Sequence, residues 1–436
     1  MIDTMSTVAE TPASTTPLKY SPSAIWPAWF QAMQEEAWRD YLATPAPTRR
    51  DEAWRFANIK ALDLSSFVAA PPILSEGKLI NASTGFGACA AKLVFGNNAL
   101  VHSEASGLPD GVTVQPLDVA ARENEELFRR YFMSQPVELG SHKYAQLHKA
   151  LLTGGVLVHV PKNVEVALPV EIFHWVEGEN SSVFPHTLIV LEDNAKVTVV
   201  DHFKSADGAR ALACGINDFL LGPGAQLTYA AVQDWSRETV AFHLNSTIVD
   251  RDATSTALIA NLGGGMVRNE SLSKLAGEGS RSVMLSLNAL DGNRVIDQRT
   301  LQDHAAKNAT SDLLYRNALD DRSQAIFSGL IRVEPGNAQT DAYQKVENLM
   351  LSEDAVAHSM PGLEILNDDV RCTHGATSGG MNEDELFYMQ ARGIPEAVGR
   401  RLIVAGFFNA LLDRIESGSL RAKLGELINE RFGALS

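Results

Sequence analysis

The sequence predicts a mainly β fold with a helical region at each end, and three observations carry that prediction. From Val156 onward the apolar spacing changes from a helical period to a period of two, the mark of a strand with one buried face. The strand-like runs are separated by a recurring turn, in which an aliphatic residue, three turn-prone or polar positions and a small or aliphatic residue follow one another. It is found at Leu191–Ala195, Leu221–Ala225, Val249–Ala253, Leu351–Ala355 and Leu366–Val370, with related turns after Leu290 and Val333. No helical pattern lies between the runs, which argues against an alternating βα sheet and leaves a sandwich, a barrel or a solenoid. Tight Asn- and Gly-rich turns, runs apolar on one face, and the lack of a Cys/Trp sandwich signature favour the solenoid.

Taken in order, residues 1–22 carry Asp3 and Glu10 and no apolar core, so they are expected to be a flexible leader rather than a secretory signal. The spacing of Ile25, Trp29, Met33, Ala37 and Tyr41 predicts an amphipathic helix over Ser23–Leu42. After Pro45 and Pro47, Thr48–Phe67 reads as a second short helix whose Trp54 and Phe56 pack against the first. Lys92–Val114 is strand-like, and Leu117–Leu152 returns to helical spacing before Gly154-Gly155. The expected units are therefore a mostly helical region over 23–153, the β core over 154–378 and a helical domain over 379–436. In that last domain Asn382 caps one helix, Gly393 stops it, and Pro395 starts another whose apolar arc runs from Val398 to Ile415. The arc is too wide for a helix lying on one surface, so this helix is expected at the centre of a small bundle with Leu420–Phe432, part of it free to meet another protein.

The totals set limits. A formal charge of −16 over 436 residues argues against a nucleic-acid partner. Three cysteines make no disulfide framework, which fits a reducing, cytoplasmic location, and the most apolar helix is far too short to span a bilayer. No G-x-x-x-x-G-K-[ST] motif occurs, so no nucleotide site is expected, and Gly263-Gly264-Gly265 lacks the context of a dinucleotide site. His202 beside Asp201 and His304 beside Asp303 are weak acid/base pairs, because neighbours on a strand face opposite ways.

The chemistry is expected at Pro361–Thr377, PGLEILNDDVRCTHGAT. With Leu363–Val370 read as a short strand, Asp368, Val370, Cys372 and His374 fall on one face, and Cys372 and His374 sit side by side. A thiolate and an imidazole suit iron or zinc, yet two ligands are half a site. The bland alternative is a small buried hydrophobe beside a hydrogen-bonded histidine. If Cys372 is reactive it needs thiolate character, for which Arg371 and Lys345 are the nearby cations. The acids Glu334, Asp341, Glu347, Glu353 and Asp354 could stack across rungs as a cation site, or form an ordinary solvated face.

The run LEILNDDVRCTHGATSGGMNEDELFYMQARGI, Leu363–Ile394, closely resembles the signature region of the SufB/SufD family of iron-sulfur cluster assembly scaffold proteins. The Cys-x-His-Gly-Ala-Thr form is similar to the SufD branch, where the SufB branch carries His-Glu-Ala-Thr. Thr340–Gln344, Asn348–Ser352 and, more faintly, Glu52–Phe56 extend the resemblance. It implies a right-handed parallel β-helix core flanked by N-terminal and C-terminal α-helical regions. It further implies pairing with SufB through the end of the β-helix and docking of the ATPase SufC on the C-terminal helices. A transient cluster or iron would be handled at the SufB interface, with His374 and then Cys372 as ligands. Phe387, Tyr388, Arg392 and Ile394, with Phe407 and Phe408, become the expected SufC contacts. A non-catalytic scaffold follows, and a homodimer is open to the isolated chain. Two rivals stand beside it. A carbohydrate-active β-helix lyase or hydrolase would need more aromatics for sugar stacking, and a homodimeric metal-binding module would bind iron without partners.

Overall fold

Turn chemistry builds the middle of the molecule. Asn194, Gly224 and Asp252 hold the same place in three successive turns, each with positive φ (56°, 70° and 57°), a conformation that Gly, Asn and Asp tolerate best. The alanine that follows each one, Ala195, Ala225 or Ala253, is fully buried at the corner, where a larger side chain would not fit. Every turn expected from the sequence pattern joins two consecutive strands.

The computed structural model describes residues 18–415 and 417–433. Of the leader expected over 1–22, the first 17 residues lie outside this range. The N-terminal part comprises α1 (Ala28–Ala43), β1 (Val68–Ala69), α2 (Glu76–Ala82), β2 (Ala91–Gly96), β3 (Ala99–Ala105), β4 (Thr113–Pro116), α3 (Leu117–Glu123), α4 (Glu125–Tyr131) and α5 (His142–Leu151). Then come β5 (Val156–Val160), β6 (Val170–Val176), β7 (Ser181–Val183), β8 (His186–Leu191), β9 (Lys196–Ser205), β10 (Ala211–Leu221) and β11 (Gln226–Asp234). The run continues with β12 (Val240–Val249), β13 (Thr254–Asn261), β14 (Met266–Leu275), β15 (Arg281–Leu290), β16 (Val295–His304) and β17 (Thr310–Leu319). It closes with β18 (Gln324–Val333), β19 (Thr340–Met350), β20 (Val356–Ile365) and β21 (Val370–Gly380), followed by α6 (Glu383–Gln390), α7 (Glu396–Leu412) and α8 (Gly418–Gly433).

Successive strands alternate between two parallel sheets, one ordered β20-β18-β16-β14-β12-β10-β8-β5 and the other β21-β19-β17-β15-β13-β11-β9-β6. The result is a parallel β-solenoid of about eight turns, flanked by helices at both ends of the chain. At its start the sheets end on short antiparallel strands, β4 on β5 and β3 on β2, whereas at its finish they end on full-length parallel strands. The solenoid sheets thus draw strands from before residue 154.

Each outer face is covered by one helical layer. Trp26, Phe30, Phe128 and Phe132 pack on Leu188, Val190 and Leu220 of the first sheet, each buried aromatic contributing about 1.5–3 kcal/mol. The C-terminal helices cover the second sheet, with Val404, Phe408, Leu411 and Leu424 against Leu258, Leu285 and Leu314.

Two helical expectations change. Helix α1 begins after Pro27 and buries Phe30, Gln34 and Ala37 rather than Ile25, which is exposed. Gln34 spends its amide on the carbonyls of Ala150 and Leu152, tying α1 to the end of α5. Over Thr48–Phe67 the chain makes only two 3-10 turns, Glu52–Trp54 and Ile59–Leu62. There the Asp51 carboxylate accepts from the Thr48 N–H and Asp63 from the Ser65 N–H, local bonds that compete with a continuous helix. Trp54 packs instead on Tyr144 and Phe242.

Candidate functional site at the open end

The last rung is built differently from the first. Strands β20 and β21 each have a single neighbour, β18 and β19, so both sheets end on unpaired edges. Pro361 is tolerated within β20 because an edge strand has one row of backbone groups to spare. The strand expected over Leu363–Val370 is in fact the end of β20, the turn Leu366–Asp369 and the first residue of β21. Asp368 therefore lies in the turn and does not share the face of Cys372 and His374.

Register fixes what β21 presents. On β19, Thr340, Ala342, Gln344, Val346 and Asn348 are the buried, inward-facing positions. Their partners on β21 are Val370, Cys372, His374, Ala376 and Ser378. Cys372 and His374 therefore do lie side by side on the interior line of the final rung, where no further rung covers them. Their environments differ. Cys372 is half-buried and packs with Val370 and Ile365 on an apolar plug of Ile331, Val333 and Ala342. His374, two residues on, is exposed.

Burial, reinforced by the Asp341 carboxylate, pushes the Cys372 thiol up from its ordinary value. The cations expected to favour a thiolate are engaged elsewhere. Lys345 Nζ lies 2.6 Å from Glu347, and Arg371 lies 3.9 Å from Asp341. The Cys372 thiol is thus half-buried and biased toward its protonated form.

The acids do not gather either. Glu347 is held by Arg316 and Lys345, and among the described residues no group of three or more His, Cys, Asp or Glu is placed to hold a metal ion. His202 pairs with Glu171 on the outer face while Asp201 points inward to Thr187 and Tyr229. His304 bonds Ser311 inside while Asp303 meets Arg332 outside, as strand alternation requires.

One histidine at this end was not singled out from the sequence. His358, on the outward line of β20, stacks on Phe56 at 4.5 Å. Only knowledge of which strand is last would have drawn attention to it.

On the C-terminal helices, Asn382 accepts from the N–H groups of Asp384 and Glu385, and Gly393 ends α6 with φ 84°. Phe387 and Tyr388 are 70% and 57% exposed, and the Arg392 guanidinium lies 4.4 Å from the Tyr388 ring centre. Ile394 is half-buried, its N–H bonded to Met389. Phe407 is also half-buried, its carbonyl held by Arg316. Phe408 is fully buried in the helix–sheet core, so it is not a surface contact as expected. Leu402, on the same helix and within the apolar arc expected from Val398 to Ile415, is exposed.

Two family models match the chain. One, described as the SUF system FeS cluster assembly SufBD core domain, covers residues 174–407, and another, the SufBD protein N-terminal region, covers 89–172. The chain is 29% identical over 323 residues to the iron-sulfur cluster assembly protein SufD of Bacillus subtilis (strain 168), covering 74% of each chain. It is 28% identical over 407 residues to a SufBD family protein of Synechocystis, covering 88% of this chain and 87% of the relative. With most of its length matched by these models, and with the solenoid they span in view, the chain belongs to the SufB/SufD family of the SUF iron-sulfur cluster assembly system.

Proposed function

We propose that this chain is a non-catalytic, SufD-like scaffold subunit that joins a SufB subunit through the open end of its solenoid and a SufC ATPase through its C-terminal helices, in the cytoplasm. The observation that carries the reading is the exposed His374 on β21, a full-length edge strand at the last rung of the solenoid. Edge strands invite pairing with another chain, and an imidazole at that seam supplies one ligand to a nascent cluster. Iron and sulfide are cargo here. With one exposed imidazole and no cluster of three donors among the described residues, the remaining ligands come from the partner. Cys372 is assigned to packing beside the site. The exposed Phe387, Tyr388 and Leu402, with Arg392 and Ile394, form the face offered to SufC. In the proposed division of the chain, 23–153 and 379–436 are helical regions around a core over 154–378.

The test is co-purification with SufB and SufC, comparing wild type with His374→Ala. The expected result is an intact complex in both cases, with the visible cluster absorbance largely lost in the variant. Normal loading of the variant would remove His374 from the chemistry, and failure of wild type to bind either partner would remove the scaffold reading.

A further inference from the structure

The two unpaired edges at the open end have to be held in register without a next rung to clamp them. Beyond their backbone pairing with β18 and β19, an amide ladder inside the solenoid reaches both of them. Asn261 donates to Asn288 (2.5 Å), Asn288 to Asn317 (2.6 Å) and Asn317 to Asn348 (2.7 Å), all buried and all oriented the same way. Asn269 feeds the ladder from the opposite sheet by donating to Asn261 at 3.0 Å. Asn288 also reaches Ser286 Oγ at 3.2 Å and the Arg316 carbonyl at 3.4 Å, and at the last step a serine, Ser378, stands where the next Asn would be. The Asn348 amide nitrogen reaches Ser378 Oγ at 3.0 Å and the Thr377 carbonyl at 3.1 Å on β21, and Ser359 Oγ at 3.2 Å on β20. Two N–H hydrogens thus serve three acceptors on both terminal strands, and the preceding amides fix which way the nitrogen points.

Strand β21 is therefore pinned at two places. Val370 and Cys372 are seated on the apolar plug, and Ser378 and Thr377 are clipped by Asn348. Between the pins lies His374, in a strand that also contains Gly375, Gly379 and Gly380 and pairs along one side, with β19.

We propose that Asn348 is a positioning residue, which fixes the spacing of the two open edges and so sets the geometry in which His374 is presented to an incoming chain. This rests on the reading of His374 as a cluster ligand. Asn348 does not touch the cluster; it acts through the terminal strands.

The experiment compares Asn348→Leu with Asn261→Leu, which removes an amide from the same ladder far from the open end. A Ser359→Ala/Ser378→Ala double variant is included, because it cuts the clip at the less buried acceptors and leaves the core intact. Amide hydrogen exchange is followed in the full-length chain, together with the His374 ring signal by NMR. The expected result is exchange about tenfold faster across Val356–Ile365 and Val370–Gly380 in Asn348→Leu and, to a lesser extent, in the serine double variant. The His374 signal should broaden or shift in both, while Asn261→Leu leaves those strands and that signal as in wild type. Terminal-strand exchange within about twofold of wild type in the serine variant would overturn the proposal. So would equal loss of protection in Asn261→Leu, since the ladder would then be a general support. Cluster absorbance with SufB and SufC is read in parallel. If His374→Ala loads normally the ligand reading falls, while the exchange data still decide the role of Asn348.

Discussion

The two ends of the solenoid solve the same problem in opposite ways. At the start, the sheets end on the short antiparallel strands β3 and β4, and the first full rungs lie under aromatic side chains; Phe173 is fully buried and stacks on His202 at 4.2 Å. At the finish, β20 and β21 carry exposed or half-buried residues along their length, with glycines and hydroxyls where the early rungs have valines and phenylalanines. A stacked sheet leaves unpaired N–H and C=O groups wherever it stops; short edge strands blunt that liability, whereas a full-length edge is a template for pairing with another chain. On the proposed function, the tightly packed early rungs supply stability and the exposed last rung supplies recognition.

That contrast can be tested by perturbing one end at a time. The largest effect is expected at the covered end, where Phe173→Ala should lower unfolding free energy by about 3–5 kcal/mol in chemical denaturation. Next comes the tie between α7 and the late rungs. Arg316 bonds Glu347 at 2.6 Å and the Phe407 carbonyl, and Arg316→Ala should cost about 1.5–3 kcal/mol and loosen α7 first in hydrogen exchange. A pH effect follows. Burial holds His148 well below its ordinary value, and pushes His243 and His304 down to about 4. These rings are neutral in the fold, whereas in the unfolded chain each takes up a proton near pH ~6.5. The unfolded state then binds more protons, so stability is full above that pH and falls as pH drops from ~6.5 toward 4. Denaturation midpoints measured from pH 7.5 to 4.5 should fall accordingly, and His148→Gln should flatten the slope. The smallest effect is expected at the open end. His374→Ala should leave unfolding free energy within about 0.5 kcal/mol of wild type, because nothing packs on an exposed ring.

The turns were legible because their chemistry is local. A positive φ favours Asn, Asp or Gly, with Met133 and Gln339 the exceptions among the described residues, and the Asn, Asp and Gly clusters marked real corners. The rung period was not legible. Leu212 pairs with Val240, Val240 with Met266, Met266 with Val295, and Gln324 with Val356, so the repeat length changes from rung to rung and no fixed period exists to be found. The adjacency of Cys372 and His374 followed from strand alternation alone, but the difference between them did not. Whether a side chain meets the Ile331–Val333 plug or open space depends on residues some forty positions earlier in the chain. Gln34 escaped notice for a related reason: a polar residue can hold the centre of a buried face when distant carbonyls accept from it. Phe408 looked like a surface contact only because a wide apolar arc does not say which part of it meets the sheet.

The central claim is that the last-rung end of the solenoid, with its full-length edge strands, is the docking surface and the first-rung end is not. Amide hydrogen exchange on the free chain and on its complex with SufB tests this directly. The account predicts new protection across Val356–Ile365 and Val370–Gly380 on binding, with none at β3. Protection gained at β3, or unchanged exchange in both terminal strands of a complex that has formed, would contradict it.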